Sequence, residues 1–535
     1  MRSLSIALVA LTACAGTQQE DTAKAPTTPT APTAPTAPAK PAGDVVVELP
    51  PSTIKAAPLE PTALTRPDMP LVNSKRGKTT LDKQRAAVAA AKDPVIKQLE
   101  AAVLATMLWG EAKKKNFDKA LIGEARQVLR DTAAAVGDAA LDEITLRLLG
   151  SYEIMAEDFA AAEKAWQGVI DKDPKSKELP YNRAWLAYAK LRQFKNAEAL
   201  AVVSGEKLDD KQPELAYVIA WAKLRTGDAT GAWEAAQVAA KGWGKNANRD
   251  ELERDSVVIA GRAQVPVDQV VAALNANLGQ GKAPYELVAR LGNLGYAPAG
   301  RWTDAIAALD KSIIAGGDTL PQAYRVRIRY AQAECAVAVD AIDVATRYAK
   351  EAVDGLATCG DKCTDKERTE TIASVYYIGR LFHVLFATAN DKKFYQPAHD
   401  LYALTIPLLP EAQRGQAQRD AKTLEDTAKN IKAGTGTHEK SAVGALLARR
   451  DTEVQACYET ALGANPKLGG TLAVELESDA TGQIKGVATD PKAGDAELAA
   501  VAGCVAARAK AWRLPTRGMP GTTRIKLSYS LQLKK

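Results

Sequence analysis

Aromatic side chains are scarce, with phenylalanine, tryptophan and tyrosine making up 5% of the 535 residues. Histidine is scarcer: His383, His399 and His438 are the only three. No two of them stand three or four residues apart, so two imidazoles cannot share a helical face to build a zinc site. The chain has no glycine-rich phosphate loop, no HExxH and no GxSxG. No catalytic residue, metal or cofactor is therefore expected, and no nucleic-acid partner. Past the first residues, no stretch reaches eighteen apolar residues, so no later membrane-spanning helix is expected. The six cysteines leave few disulfides to place. What the chain does have is alanine and charge, the composition of packed helices.

The N-terminus carries a short apolar run, Leu4–Ala13, after the positive charge of Arg2. A spanning helix needs roughly twenty apolar residues, so this run reads as the core of a signal peptide. Leu11-Thr12-Ala13-Cys14-Ala15-Gly16 resembles the bacterial lipobox. That resemblance implies a signal peptide over residues 1–13 and a lipid on Cys14. With Ala15 rather than aspartate after the cysteine, it also implies the outer membrane. The alternative is an ordinary secretory signal with an incidental cysteine. Residues 14–80 are expected to be a flexible Pro/Thr/Ala-rich tether. Its centre, Lys24–Gly43, repeats proline so often that neither helix nor ladder hydrogen bonds can persist.

Residues 81–432 read as a helical repeat array. Ala162, Ala197 and Ala232 recur at a constant interval, each after an amphipathic helix and a short polar turn. A small residue at the crossing lets two antiparallel helices approach, and stacking buries what one pair alone leaves open. Further anchors are Ala120, Ala305, Ala345 and Ala398, for about seven repeats between residues 100 and 412. Residues 246–285 break the period and are expected to form an irregular helical pair. Leu146, Leu149, Gly150, Ala162, Trp166 and Pro174 resemble the tetratricopeptide repeat. In that family the first helix of each repeat lines a protein-binding groove. The matching positions here are Arg147, Ser151, Asn182, Leu186, Tyr217 and Trp221. Trp221 and Tyr217 are either anchors for a partner or packing between repeats.

Residues 440–535 change pattern. A helix over roughly 442–462 precedes an alternating strand at Leu472–Leu476, a turn at Asp479–Gly482 and a return strand to Thr489. A second helix is expected over 495–512, then a strictly alternating strand through Ile525, Leu527, Tyr529, Leu531 and Leu533. The fold class is thus mainly α: a tetratricopeptide-like helical solenoid followed by a small α+β domain, ordered helix-strand-strand-helix-strand. Cys457-Tyr458, Asn465-Pro466, Gly469-Gly470, Asp479–Gly482, Cys504-Val505 and Trp512-Arg513-Leu514-Pro515 resemble the AgmX/PglI C-terminal domain, itself similar to that of TonB. Leu514 stands where that family tends to have phenylalanine. The resemblance places a cysteine pair at Cys457 and Cys504, which a disulfide would join across two helices; buried free thiols are the alternative. Cys359 and Cys363 read as a loop-closing disulfide, with a metal or redox site as the alternative and Cys335 as a competitor.

Fourteen basic residues face nine acidic ones from Lys440 onward. That excess suits an anionic partner, peptidoglycan or an acidic protein, or else protects an edge strand from aggregation. The expected function is a non-catalytic, outer-membrane-anchored periplasmic scaffold or adaptor that holds other envelope proteins. The AgmX/PglI likeness implies an envelope machine such as gliding motility. The alternatives are a pilotin-like or outer-membrane assembly lipoprotein, and an envelope enzyme with an unrecognised site.

Overall fold

The computed structural model describes residues 45–534 apart from 65, 71, 73–78, 244–248, 264, 279–283, 390–391, 431–442, 445–446, 480, 492–497 and 515–521. The signal peptide, Cys14 and the first part of the expected tether lie outside the described residues. The helices are α1 (Leu81–Ala90), α2 (Pro94–Lys114), α3 (Lys119–Val136), α4 (Glu143–Met155), α5 (Phe159–Lys172), α6 (Leu179–Arg192), α7 (Asn196–Val202), α8 (Pro213–Arg225) and α9 (Ala229–Gly242). There follow α10 (Arg249–Arg262), α11 (Val267–Leu278), α12 (Pro284–Arg290), α13 (Trp302–Gly316), α14 (Gln322–Ala338), α15 (Ile342–Cys359), α16 (Asp365–Ala389), α17 (Tyr395–Thr405) and α18 (Glu411–Asn430). They pack mainly against chain neighbours, α2 on α3, α4 on α5, α8 on α9 and α14 on α15, which is the arrangement of a helical solenoid.

One turn recurs between the helices of a pair. A residue with positive φ stands just before the N-cap: Glu157, Phe194, Gly227, Gly300 or Asp340. The N-cap amide then reaches back five residues, from Asp158 to Glu153 O (3.0 Å), Lys195 to Lys190 O (3.0 Å) and Asp228 to Lys223 O (2.9 Å). This ties off a helix C-terminus and starts the next helix in one step. Asp158 and Asp228 also cap through their carboxylates. Four residues past the N-cap stands a fully buried alanine: Ala162, Ala199, Ala232, Ala305, Ala345 or Ala398. Two expected anchors need correction. Ala197 and Ala120 are exposed, because Phe194 and Phe117 take the left-handed turn position rather than the first helical one. Ala199 and Ile122 therefore occupy the equivalent sites.

Close approach decides two glycines. A Cβ on Gly150 would stand 2.8 Å from the Trp166 indole, so only glycine lets α4 lie against that ring. In the irregular segment, a Cβ on Gly261 would meet the carbonyl of Gly295 at 2.1 Å. There α10 crosses a π-helical turn, Leu291–Tyr296, at backbone contact. The pair α10 and α11 occupies the stretch where the period was expected to break.

The C-terminal unit has the expected order: α19 (Asp451–Ala464), β3 (Gly470–Ser478), β4 (Ile484–Pro491), α20 (Ala499–Ala509) and β5 (Thr523–Leu533). Its turn is fixed by Asp479, whose carboxylate accepts from the Thr481 amide (2.9 Å) and hydroxyl (2.6 Å). The sheet is larger than the three strands expected. β1 (Val45–Glu48) and β2 (Ser52–Ala56) lie parallel to β5, with Val45 opposite Thr523 and Ser52 opposite Tyr529. The strand order is β1-β5-β3-β4, with β2 also on β5. Two expectations are thereby corrected. The flexible tether does not extend to residue 80, since Val45–Glu48 and Ser52–Ala56 are strands of the sheet. β5 is not an edge: β3 covers one side, and β1 and β2 cover the other.

Nor is the C-terminal unit spatially separate. One apolar cluster runs from Val326, Phe382 and Tyr402 of the array to Ile54 of β2 and Ile525 and Tyr529 of β5. Buried Glu453 accepts from Trp302 Nε1 of the array (3.1 Å) and from Trp512 Nε1 (3.0 Å). Arg450 donates to the Ala338 carbonyl at the end of α14. Disulfides join Cys457 to Cys504 and Cys359 to Cys363, each with Cα atoms 5.7 Å apart, and Cys335 is a buried free thiol.

Candidate functional site: a strap on the first-helix face

After β2 the chain does not leave the surface. The described residues between 57 and 72 run as a strap across the face built from α2, α6, α8 and α10. Proline fixes this strap extended, at Pro58, Pro61, Pro67 and Pro70. An extended segment has no internal partners for its amides and carbonyls, so the array must supply them. It does so with side chains. Arg225 Nη2 donates to the Leu59 carbonyl at 2.5 Å, while Nη1 donates to Leu191 O at 2.6 Å. The Ala63 amide donates to the Tyr217 hydroxyl (3.0 Å), and the Asp68 amide to the Tyr181 hydroxyl (2.7 Å). Farther along, the Val72 amide donates to Thr106 Oγ1 at 3.4 Å.

The centre of the strap is its most specific part. Asp255 of α10 accepts from both the amide and the hydroxyl of Thr62, each at 2.8 Å, and from the Tyr217 hydroxyl. Burial pushes the Asp255 carboxyl up, and these donors pull it back only in part. Burial likewise raises Tyr217, with the Asp255 charge adding to it, so the phenol keeps its proton and donates it to Asp255. Ala63 and Leu64 join the apolar core of the array at 2% and 3% exposure. At the rim, Glu60 pairs with Arg192 at 3.5 Å and Arg66 lies 3.6 Å above the Phe117 ring. Burial lowers Arg225 to about 10, so it stays charged at neutral pH.

The expected groove residues are on this face or beside it, but they are not open. Tyr217 is 1% exposed and holds the strap directly. Trp221 (1%), Leu186 (2%), Ser151 and Asn182 (both 0%) are buried. Arg147 is ion-paired with Glu178 at 2.5 Å. Of the six, Tyr217 hydrogen-bonds to the strap, at the Ala63 amide. Sequence reasoning missed Asp255, Arg225, Tyr181 and Arg192. Two of these carried a signal: Lys190-Leu191-Arg192 and Lys223-Leu224-Arg225 are one tripeptide in successive repeats. Asp255 lies where the period breaks, so no register pointed to it.

A cleft of about 1030 Å³ lies elsewhere, between α3 and α5. Several of its charges are already paired, Arg130 with Glu153 at 2.6 Å and Glu163 with Lys190 and Lys195 at 2.7 Å. These cations hold Glu163 down at about 2 against the opposing effect of burial. The basic excess of the C-terminal unit is partly used internally: Arg450 is buried on Ala338 and pairs with Glu453 at 3.0 Å, and Lys485 pairs with Asp479 at 3.2 Å. Among the described residues no helix is long and apolar enough to cross a membrane. Compared with protein-family models and with curated proteins, the chain matches none.

Proposed function

We propose that the chain is a non-catalytic scaffold of the cell envelope, of the tetratricopeptide type, anchored through a lipid on Cys14 in the outer membrane and facing the periplasm. Its array holds extended segments of partner proteins, and its C-terminal unit, of the AgmX/PglI type, adds a second surface. The observation that carries this reading is the strap. The first-helix face takes an extended, proline-rich segment through hydrogen bonds to its main chain, the chemistry of a peptide-binding groove. The cysteine after an apolar run supports the anchor, and the two disulfides suit an oxidising compartment. An envelope machine such as gliding motility is the setting the C-terminal resemblance supports.

Photo-crosslinking in cells tests it. With a photoreactive residue at Arg66 or Asp68, the reading expects discrete adducts with envelope proteins in the membrane fraction. Replacing Cys14→Ala should move the chain to the soluble fraction. Absence of adducts, or membrane retention of the Cys14→Ala chain, overturns the reading.

A further inference from the structure

The centre of the strap reads three consecutive residues, each for a different physical reason. Pro61 is buried and brings no amide that needs an acceptor. Thr62 sends two donors into one carboxylate, Asp255, so the position demands a β-hydroxyl. Ala63 donates its amide to Tyr217 and is 2% exposed, so a larger side chain has no room. The specification is proline, then threonine or serine, then a small residue.

Pro-Thr-Ala occurs four times in the chain: at Pro61–Ala63, and in tandem at Pro29–Ala31, Pro32–Ala34 and Pro35–Ala37. Residues 29–37 lie outside the described residues. We propose that the Asp255–Tyr217 subsite is a reader of Pro-Thr-Ala segments, and that its exchange occupant is the Pro29–Ala37 segment of a second copy of this chain. This rests on the reading of the first-helix face as a peptide groove. Three tandem copies present three registers to one subsite, which raises the effective concentration of a match. Peptides rich in proline favour extended conformations in general, so little order is lost when one binds. A second copy is the favoured source. Within one chain β1, fixed on β5, leaves only Pro38–Asp44, at most about 25 Å of extended chain, between the last tandem copy and the sheet, a limit that the subsite of a second copy does not have. A strap that yields to the tether of a neighbour links copies head to tail, in a closed ring where the rotation closes and in an open chain where it does not.

The test is a labelled peptide of residues 27–39 titrated into the full chain and followed by fluorescence anisotropy. In the chain carrying Thr62→Val the strap loses its hydroxyl bond to Asp255. The peptide should then bind about tenfold more tightly than to the unaltered chain. A control peptide with valine for Thr30, Thr33 and Thr36 uses the same folded protein and should bind about tenfold more weakly than the threonine peptide. Asp255→Asn in the Thr62→Val chain should reduce the difference between the two peptides. Equal binding of both peptides overturns the proposal. So does failure of the tandem peptide where a separate strap peptide, residues 57–70, binds the Thr62→Val chain; the groove reading then survives. If neither peptide binds, both the proposal and the groove reading fall.

Discussion

Thr62 and Asp255 are joined by two hydrogen bonds of 2.8 Å, one from the threonine amide and one from its hydroxyl, across 193 positions of sequence. With the Tyr217 hydroxyl, three donors meet one buried carboxylate. Removing the carboxylate leaves all three without it. Asp255→Ala should therefore destabilise the fold by about 2–4 kcal/mol and free the strap. Thr62→Val should cost about 1 kcal/mol. Hydrogen exchange reads both, since the amides of Thr62, Ala63 and Asp68 should lose protection in Asp255→Ala. An Ala63 amide that stays protected there would show the strap to be held by its other contacts.

The turn register gives a paired prediction. Ala199 is fully buried four residues past its N-cap, whereas Ala197 is exposed. Ala199→Trp should overpack the α6–α7 crossing and cost about 1–3 kcal/mol or more. Ala197→Trp should stay within about 0.5 kcal/mol of the unaltered chain. Chemical denaturation of the two variants side by side decides it, and equal costs would mean the register is misplaced.

Why Ala197 misleads in the sequence is instructive. Phe159 and Phe194 invite alignment, yet one opens a helix and the other occupies the left-handed turn before an N-cap. The helix pairs, the irregular pair at α10 and α11, and the alternation of Ile525, Leu527, Tyr529 and Leu531 are all legible, because periodicity is a local property. β1 and β2 are not. Val45-Val46-Val47 stands between a proline-rich tract and Pro50-Pro51, and its strand partner is the last strand of the chain. No local pattern encodes that pairing. The strap is hidden for the same reason: its amides are satisfied by Tyr181 and Tyr217, far along the chain. Only the identity of the tripeptide, repeated upstream, was open to reading.

Asp451 sets a pH dependence. Burial raises its carboxyl to about 6, against the hydrogen bond of 2.6 Å that it accepts from Ser52 Oγ on β2. The folded pKa lies above the unfolded value of about 3.9. The folded state then holds more protons between these values, so stability falls as pH rises through that window and levels off above about 6. The loss should be on the order of 2 kcal/mol. His383, whose pKa burial lowers, contributes the opposite slope nearby. The diagnostic is therefore the difference between the unaltered chain and Asp451→Asn, measured by denaturation from pH 4 to 8. A difference that does not change with pH would rule Asp451 out.

Reduction should act unevenly. Cys457–Cys504 closes a separation of 47 residues and Cys359–Cys363 one of four. In the chain-entropy model these stabilise by roughly 4 and 2 kcal/mol. Cys457→Ser with Cys504→Ser should lower the melting temperature more than the Cys359 and Cys363 pair of substitutions. Exchange protection should fail first in α19 and α20. The reverse order in calorimetry would place the critical crosslink in the array.

The N-terminal strands give the sharpest contrast between a tether and a folded element. A flexible tether can be shortened to residue 56 with no cost to stability. Here that truncation removes β1 and β2, strips one whole side of β5 and uncovers Ile54's place in the apolar cluster. β5 would become an edge with alternating Ile525, Leu527, Tyr529 and Leu531, a template for strand pairing between molecules. The truncated chain should lose several kcal/mol in the C-terminal unit, since Val47 and Ile54 each stabilise by roughly 1.5–3 kcal/mol when buried. It should also associate in a concentration-dependent way. Ile54→Ala in the full-length chain separates the two effects, because it opens a cavity at a cost of about 2–5 kcal/mol while leaving the β2 backbone on β5. A truncated chain that melts at the unaltered temperature and stays monomeric by sedimentation would show that the strands add nothing to the sheet.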